Sequence, residues 1–418
     1  MHSPKKQKSI LYICRRFNPD KWGGTETVMI QSALQLQKEG YHVEIFTTLA
    51  LSNLREEWVQ GILIQRFPYI LPWFGLSKKA KEAMLLKGGN LFSFSLLWAV
   101  LWKRNINLIH LHSSHRIGAI GRFAARLRKI PYVITFHGGW LSIPKEQTDQ
   151  MTDPFKGKLE WGKVMGFFLG SRHIVRDAQA LICVGKDEYN TCKNRFPEKR
   201  VLYLPNGVNP AFFSHGNGAQ WRMAHNIPSS KKMILCLSRI DYQKNQLSLV
   251  EALPDILKNH TETYLVLVGS VSAPAYYDLL IQRIQTLNLT NHVLVIQGVP
   301  PQSDNIRDLY AACDIFVLPT RHEPFGIVIL EAWAAGKPVV TSAIGGILGF
   351  VSPEKDGLFI DPENSGSLVD QIHRILSNHD LARKLGQNGK KKAYQEYDWR
   401  IIAKPLISLY NELLELND

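Results

Sequence analysis

Apolar residues recur along this chain in short unbroken runs, each followed by a stretch with helical spacing. Ile10–Cys14 reads as a buried strand, followed by a glycine turn and a helix over about Thr25–Lys38. His42–Thr48, Leu108–Leu111, Tyr132–Phe136, Ala180–Val184 and Val201–Leu204 continue the strand series. After the polar stretch Ser214–Gln220 the alternation restarts with Met233–Ser238, Tyr264–Val268, Val293–Ile296, Ile315–Leu318 and Pro338–Thr341. Continuous apolar strands separated by helices imply parallel sheets covered on both faces. The pattern therefore predicts an α/β protein with two doubly wound, Rossmann-like domains, over residues 1–215 and 216–398. A ligand is expected in the crevice they face, at the strands' carboxyl ends. From Ser365 onward the reading is helical. Asp398 is a candidate N-cap for a last helix over about 399–418, expected to pack back on the first domain.

The chain has 418 residues, too many for one ordinary core. With 45% hydrophobic and 21% charged residues it is neither disordered nor fibrous. Its five cysteines include no CxxC pair, so a disulfide scaffold is not expected and a reducing, cytoplasmic setting fits. The basic start precedes an apolar run too short for a signal peptide, and the run Leu91–Trp102 is too short to span a bilayer. Charge is uneven: residues 1–200 hold 31 Lys and Arg against 15 Asp and Glu, a balance of +16, whereas residues 201–418 hold 19 against 21, or −2. A basic first half beside a neutral second half points to an anionic surface or partner.

Candidate chemistry concentrates after particular strands. Arg321-His-Glu-Pro-Phe-Gly-Ile-Val-Ile-Leu-Glu331 follows Ile315–Leu318 and opens a helix. Free N–H groups and the positive dipole end favour an anion there. Glu323 and Glu331 would meet different parts of a ligand, and carboxylates are good acceptors for vicinal hydroxyls. After Met233–Ser238 come Arg239 and Lys244, two cations at a strand end that together suit a phosphate. In Trp22-Gly-Gly-Thr-Glu26, Gly23 and Gly24 allow close backbone approach, although no third glycine completes a dinucleotide fingerprint. His110-Leu-His-Ser-Ser-His115 lacks a nearby Cys or acidic residue, so no metal is expected there, and His112 is kept as a possible active-site neighbour.

The segments Gly23-Gly-Thr-Glu26, Thr135-Phe-His-Gly138, Leu204-Pro-Asn-Gly-Val208, Ser238-Arg-Ile-Asp-Tyr-Gln-Lys244 and Glu323-Pro-Phe-Gly326 with Glu331 occur in that order. Together they resemble the retaining nucleotide-sugar glycosyltransferases of family 4, which have the GT-B fold. Asn209 departs from an Asp common in that family. The resemblance implies that Arg239 and Lys244 hold the donor diphosphate and stabilise charge on the leaving group. It implies that Glu331 binds the ribose, and that Glu323 with the amides of Phe325, Gly326 and Ile327 holds the donor sugar and phosphate. Gly24 would approach the phosphate from the other domain. His137 would touch the sugar; taken alone, it reads equally as a structural histidine. No cofactor and no metal are implied.

The implied reaction moves a hexosyl unit from a nucleoside diphosphate sugar to a sugar or lipid-linked acceptor at the cytoplasmic membrane face. Pro68–Leu76 beside Lys78, Lys79, Lys81 and Lys87 suits an interfacial segment on anionic lipid, and Arg122, Arg126, Arg128 and Lys129 form a second basic cluster. Two alternatives remain at this stage. One is a GT-B sugar phosphorylase; the other is a basic non-catalytic nucleic-acid-binding protein, for which no RRM, KH or zinc-finger signature is present.

Overall fold

The computed structural model describes residues 7–18, 23–87, 89–138, 158–298 and 303–416. The chain forms two compact units, Met1–Pro205 with Ala403–Asp418, and Asn206–Ile402. The division falls upstream of the expected residue 216. The short helix Pro210–Phe213, capped by the Asn209 side chain, already packs within the second unit, where Phe213 meets Tyr310 edge-on at 5.5 Å.

The first unit is an eight-stranded sheet in the order β3-β4-β2-β1-β5-β6-β7-β8. The strands are β1 Ser9–Arg16, β2 His42–Thr48, β3 Glu56–Val59, β4 Ile62–Phe67, β5 Leu108–Leu111, β6 Tyr132–Phe136, β7 Ala180–Cys183 and β8 Arg200–Tyr203. All neighbours are parallel except the hairpin β3–β4, which the apolar pattern does not reveal. Gln60 and Gly61, both at positive φ, form its two-residue turn. Chain order reverses at β1, between β2 and β5, so the loops after β1 and β5 open at a switch point. The helix Trp399–Glu415 starts in the second unit, where the Asp398 carboxylate caps it by accepting from the Arg400 N–H at 2.8 Å. From Ala403 it belongs to the first unit, and the fully buried Tyr410 hydroxyl meets His110 Nδ1.

The second unit is a fully parallel six-stranded sheet, ordered β11-β10-β9-β12-β13-β14. Its strands are β9 Lys232–Leu237, β10 Thr263–Val268, β11 Val293–Ile296, β12 Ile315–Leu318, β13 Val339–Ser342 and β14 Leu358–Ile360. Here the switch point lies between β9 and β12. The helix Ile327–Ala334 follows β12 and is anchored by Trp333, which is fully buried. The indole N–H donates to the Asp356 carbonyl at 2.8 Å, and Phe350 stands edge-on at 5.6 Å. Gly389 on the helix His379–Glu396 makes room, because a Cβ there would lie 2.2 Å from Trp333 Cδ1.

Two substitutions test this anchor. Trp333→Ala should cost about 3–5 kcal/mol, and Gly389→Ala about 1–3 kcal/mol by overpacking. Both are read from the denaturant midpoint. An unchanged midpoint for Trp333→Ala would mean that this helix is held by something else.

Candidate active site

The loop after β9 and the loop after β12 are stitched into one surface at the second unit's switch point. The Gln243 carbonyl accepts from the Arg321 N–H at 2.8 Å and from the Thr320 hydroxyl at 2.9 Å. In return, the Gln243 side-chain amide donates to the His322 carbonyl at 2.8 Å. Asp241 tightens the first loop: it accepts from the Lys244 N–H at 3.1 Å and the Ser272 hydroxyl at 2.7 Å. Asn245, at positive φ, then turns the chain into the helix Gln246–Asn259.

This stitching joins the two strongest sequence candidates. Lys244 Nζ donates to Glu323 Oε2 at 2.6 Å, and both side chains are about nine-tenths buried. Removing either partner would leave a buried charge without compensation. Arg239 is different: its guanidinium is about half exposed and sits 3.3 Å from Asp241, so it remains available to an incoming anion.

The turn after Glu323 is set by close packing. Gly326 has φ +96°, a left-handed conformation that favours glycine. The Glu323 carbonyl accepts from the Gly346 N–H at 2.9 Å, and a Cβ on Gly346 would lie 1.8 Å from the Pro324 carbonyl oxygen. Phe325 is buried, stacked on Phe350 at 4.7 Å, so only its backbone could face a ligand. Gly326 caps the helix Ile327–Ala334 and Ile327 begins it, at the end where helical N–H groups lack intrahelical partners. Glu331 lies further along that helix, partly accessible, and accepts from the Tyr310 hydroxyl at 2.7 Å. Burial raises its carboxyl to about 7, and the Tyr310 hydrogen bond opposes that rise.

In the first unit, Gly23 and Gly24 open the helix Gly24–Lys38 and are exposed, while the buried Glu26 carboxylate accepts from the Gly23 N–H at 3.0 Å. Trp22 lies outside the described residues. His137 follows β6 and is 3.0 Å from His112, their rings stacked at 5.2 Å. Burial lowers His137 to about 4; His112 and His110 are also held well below the usual value, chiefly by burial. All three imidazoles are therefore neutral at neutral pH. His112 Nε2 is buried with no hydrogen-bond partner. His110 is satisfied by the Thr135 hydroxyl at 2.6 Å and by Tyr410. Among the described residues no group of three or more His, Cys, Asp or Glu could hold a metal.

Of the second basic cluster, one member is buried. Arg122 is buried and bonded to Asp177, Arg126 reaches the same carboxylate at 3.1 Å, and Arg128 donates to the Val100 carbonyl at 2.7 Å. Burial pairs Arg122 with an acid and takes it out of the patch, whereas Arg126 and Lys129 are exposed and Arg128 is half-buried. The sequence reading also gave no role to Gln243, Thr320, Gly345, Gly346 or Tyr310. The Gly-Gly pair after β13 repeats the signal after β1 and could have been found; Tyr310, on a separate helix, carries no such mark.

Two family models match in succession, glycosyltransferase family 4 over residues 22–212 and glycosyl transferases group 1 over residues 218–392. The chain carries a glycosyltransferase family 4 domain followed by a glycosyl transferases group 1 domain. It is 34% identical over 224 residues to the uncharacterized glycosyltransferase MJ1607 of Methanocaldococcus jannaschii, a match taking in 53% of this chain and 56% of that protein. The chain thus spans just over half the length of that relative. It is 25% identical to alpha-monoglucosyldiacylglycerol synthase of Streptococcus pneumoniae over 91% of this chain and 83% of the synthase. The solved sucrose-phosphate synthase of Thermosynechococcus elongatus superposes with a TM-score of 0.75 at 24% identity, covering 98% of this chain and all of that one. The fold is GT-B.

The family assignment adds nothing to the energetics of the buried groups, which can be tested directly. Lys244→Met and Glu323→Gln should each destabilise the protein, about 3–5 kcal/mol for the more damaging of the two, while the double variant recovers part of the loss. Additive losses in denaturant unfolding would mean that the two groups are not coupled. A second test uses pH. A carboxyl raised from 4.5 to about 7 holds its proton in the folded state after the unfolded chain has released it. Its contribution to stability is therefore present at low pH and lost as pH rises through that window. Glu331→Gln should flatten this part of the stability–pH curve, and Tyr310→Phe should move the loss to higher pH. Melting temperatures taken between pH 4 and 8 decide it; parallel curves for wild type and Glu331→Gln would refute the assignment.

Proposed function

We propose that this protein transfers a hexosyl unit from a nucleoside diphosphate sugar to an acceptor, with retention of anomeric configuration. The supporting observation is the stitched switch-point surface, where the Lys244–Glu323 pair, the exposed Arg239 and the start of the helix Ile327–Ala334 come together in a chain with these two glycosyltransferase domains. As the glycosidic bond breaks, negative charge accumulates on the departing diphosphate. Arg239 and Lys244 stabilise that charge, assisted by the N–H groups of Phe325, Gly326 and Ile327. Glu323 fixes the Lys244 ammonium before the donor arrives, so little reorganisation accompanies the charge build-up. Glu331, oriented by Tyr310, accepts from the ribose hydroxyls. No metal is needed in this reading, because the cations and the helix end take up the charge.

The acceptor in this reading is a lipid-linked or glycolipid intermediate at the cytoplasmic membrane face. The basic balance of residues 1–200 supports it, as does similarity to a relative named as a synthase of a diacylglycerol glycolipid. No described helix is long and apolar enough to cross a membrane, so association would be peripheral.

Calorimetry with UDP, GDP and ADP, followed by turnover with the matching sugar conjugates, tests the reading. Arg239→Ala should weaken nucleoside diphosphate binding about ten- to a hundredfold, the usual cost of a lost charge-assisted contact. Unchanged affinity would exclude the clamp, and NMR of the first-formed glycoside showing inversion would reject retention. Turnover on inorganic phosphate with no nucleotide would identify a phosphorylase instead.

A further inference from the structure

The helix Phe94–Trp102 in the first unit presents two contrasting faces. Leu96 and Val100 point inward and are fully buried in the core that also contains Leu91, Ile109 and Ile120. On the other side, Phe94, Trp98 and Trp102 stand at i, i+4 and i+8, in one line along the helix. They are 59%, 65% and 66% exposed, and the two indoles touch at 5.5 Å between ring centres. Nine residues without a single charge thus offer water a row of three large aromatic rings. A contiguous apolar patch of this kind marks a binding surface, since scattered exposed side chains do not line up.

The border of the patch says what covers it. Lys103 and Arg104 follow directly on Trp102. The Arg128 guanidinium donates to the Val100 carbonyl at 2.7 Å, which brings its neighbours Leu127, 65% exposed, and Lys129, also exposed, to the same helix end. Among the described residues, the acidic partner recorded within this border is Glu44, which holds Lys103 at 2.6 Å. Indoles seek the boundary between headgroups and acyl chains, and cations beside them favour anionic headgroups.

We propose that the face Phe94–Trp98–Trp102 inserts into the headgroup region of an anionic bilayer, with Arg104, Arg128 and Lys129 on the lipid phosphates. This rests on the membrane part of the function proposed above, and moves the point of contact. In the segment expected from sequence, Ala80 and Met84 of the helix Lys78–Lys87 are buried, and Phe74, though exposed, stands beside Trp161 at 6.1 Å and not in line with further exposed rings of that helix; the side chains of Lys79 and Lys87 lie outside the described residues. That segment supplies charge through Lys78 and Lys81, which are exposed, but no comparable row of aromatic rings.

The test is sedimentation of the full chain with vesicles of phosphatidylcholine alone or mixed with phosphatidylglycerol, at low and high salt. Wild type should bind the anionic vesicles, less so at high salt. Trp98→Ser/Trp102→Ser should lower partitioning at least tenfold, about 1.4 kcal/mol. Lys78→Glu/Lys81→Glu should have the smaller effect. Wild-type Trp fluorescence should be quenched by brominated acyl chains, and the double Ser variant should lose most of that quenching. Nucleoside diphosphate affinity should stay the same in both variants, which separates failure of this inference from failure of the transferase reading. Unchanged vesicle binding in the double Ser variant would overturn the proposal. So would a wild-type dimer that ignores vesicles and dissociates on the same substitutions, because the face would then meet a second copy of the chain.

Discussion

The buried pair between Lys244 and Glu323 is the constraint around which the second unit is arranged. Two charges nearly out of water are tolerable only while they hold each other, so the loops that carry them must keep their relative position. The backbone and side-chain bonds of Gln243, Thr320 and Asp241 supply that rigidity. Because the loops leave neighbouring strands at the switch point, sheet topology and ion pair specify the same geometry. The glycines after β13 complete it by letting a third loop lie against Glu323 and Pro324.

Burial has opposite uses in the two units. In the second it lifts the Glu331 carboxyl towards neutrality, making its charge sensitive to whatever covers it. In the first it keeps His110, His112 and His137 neutral, so they can act there only as hydrogen-bonding or packing groups near neutral pH. A neutral imidazole suits an uncharged hydroxyl better than a phosphate.

Most of the architecture was legible because continuous apolar runs such as His42–Thr48 and Ile315–Leu318 can be little other than buried parallel strands. The hairpin β3–β4 escaped because Glu56–Val59 is exposed on alternate residues at a sheet edge, and Gln-Gly is a weak turn signal. The short strand Leu358–Ile360 has too few residues for any pattern. At the site, motif order pointed to Arg239, Lys244, Glu323 and Glu331, but their partners could not be read. That Lys244 meets Glu323 rather than open solvent depends on two loops 79 positions apart in the chain. Tyr310 reaches Glu331 from a different helix. The pairing of Arg122 with Asp177 was hidden for the same reason: a charge count does not say which cations already have an acid beside them.

The second unit is, in chain terms, an insertion within the first, which resumes only at Ala403. The returning segment is not decorative, since Tyr410 satisfies His110 and Asn411 accepts from Tyr41 inside the first unit. During synthesis, then, the first sheet emerges early but waits for its last helix until the whole of residues 206–402 has been translated. At about 5–20 residues per second that interval is roughly 10–40 s. For that time His110 and Tyr41 lack the Tyr410 and Asn411 partners that the finished fold gives them.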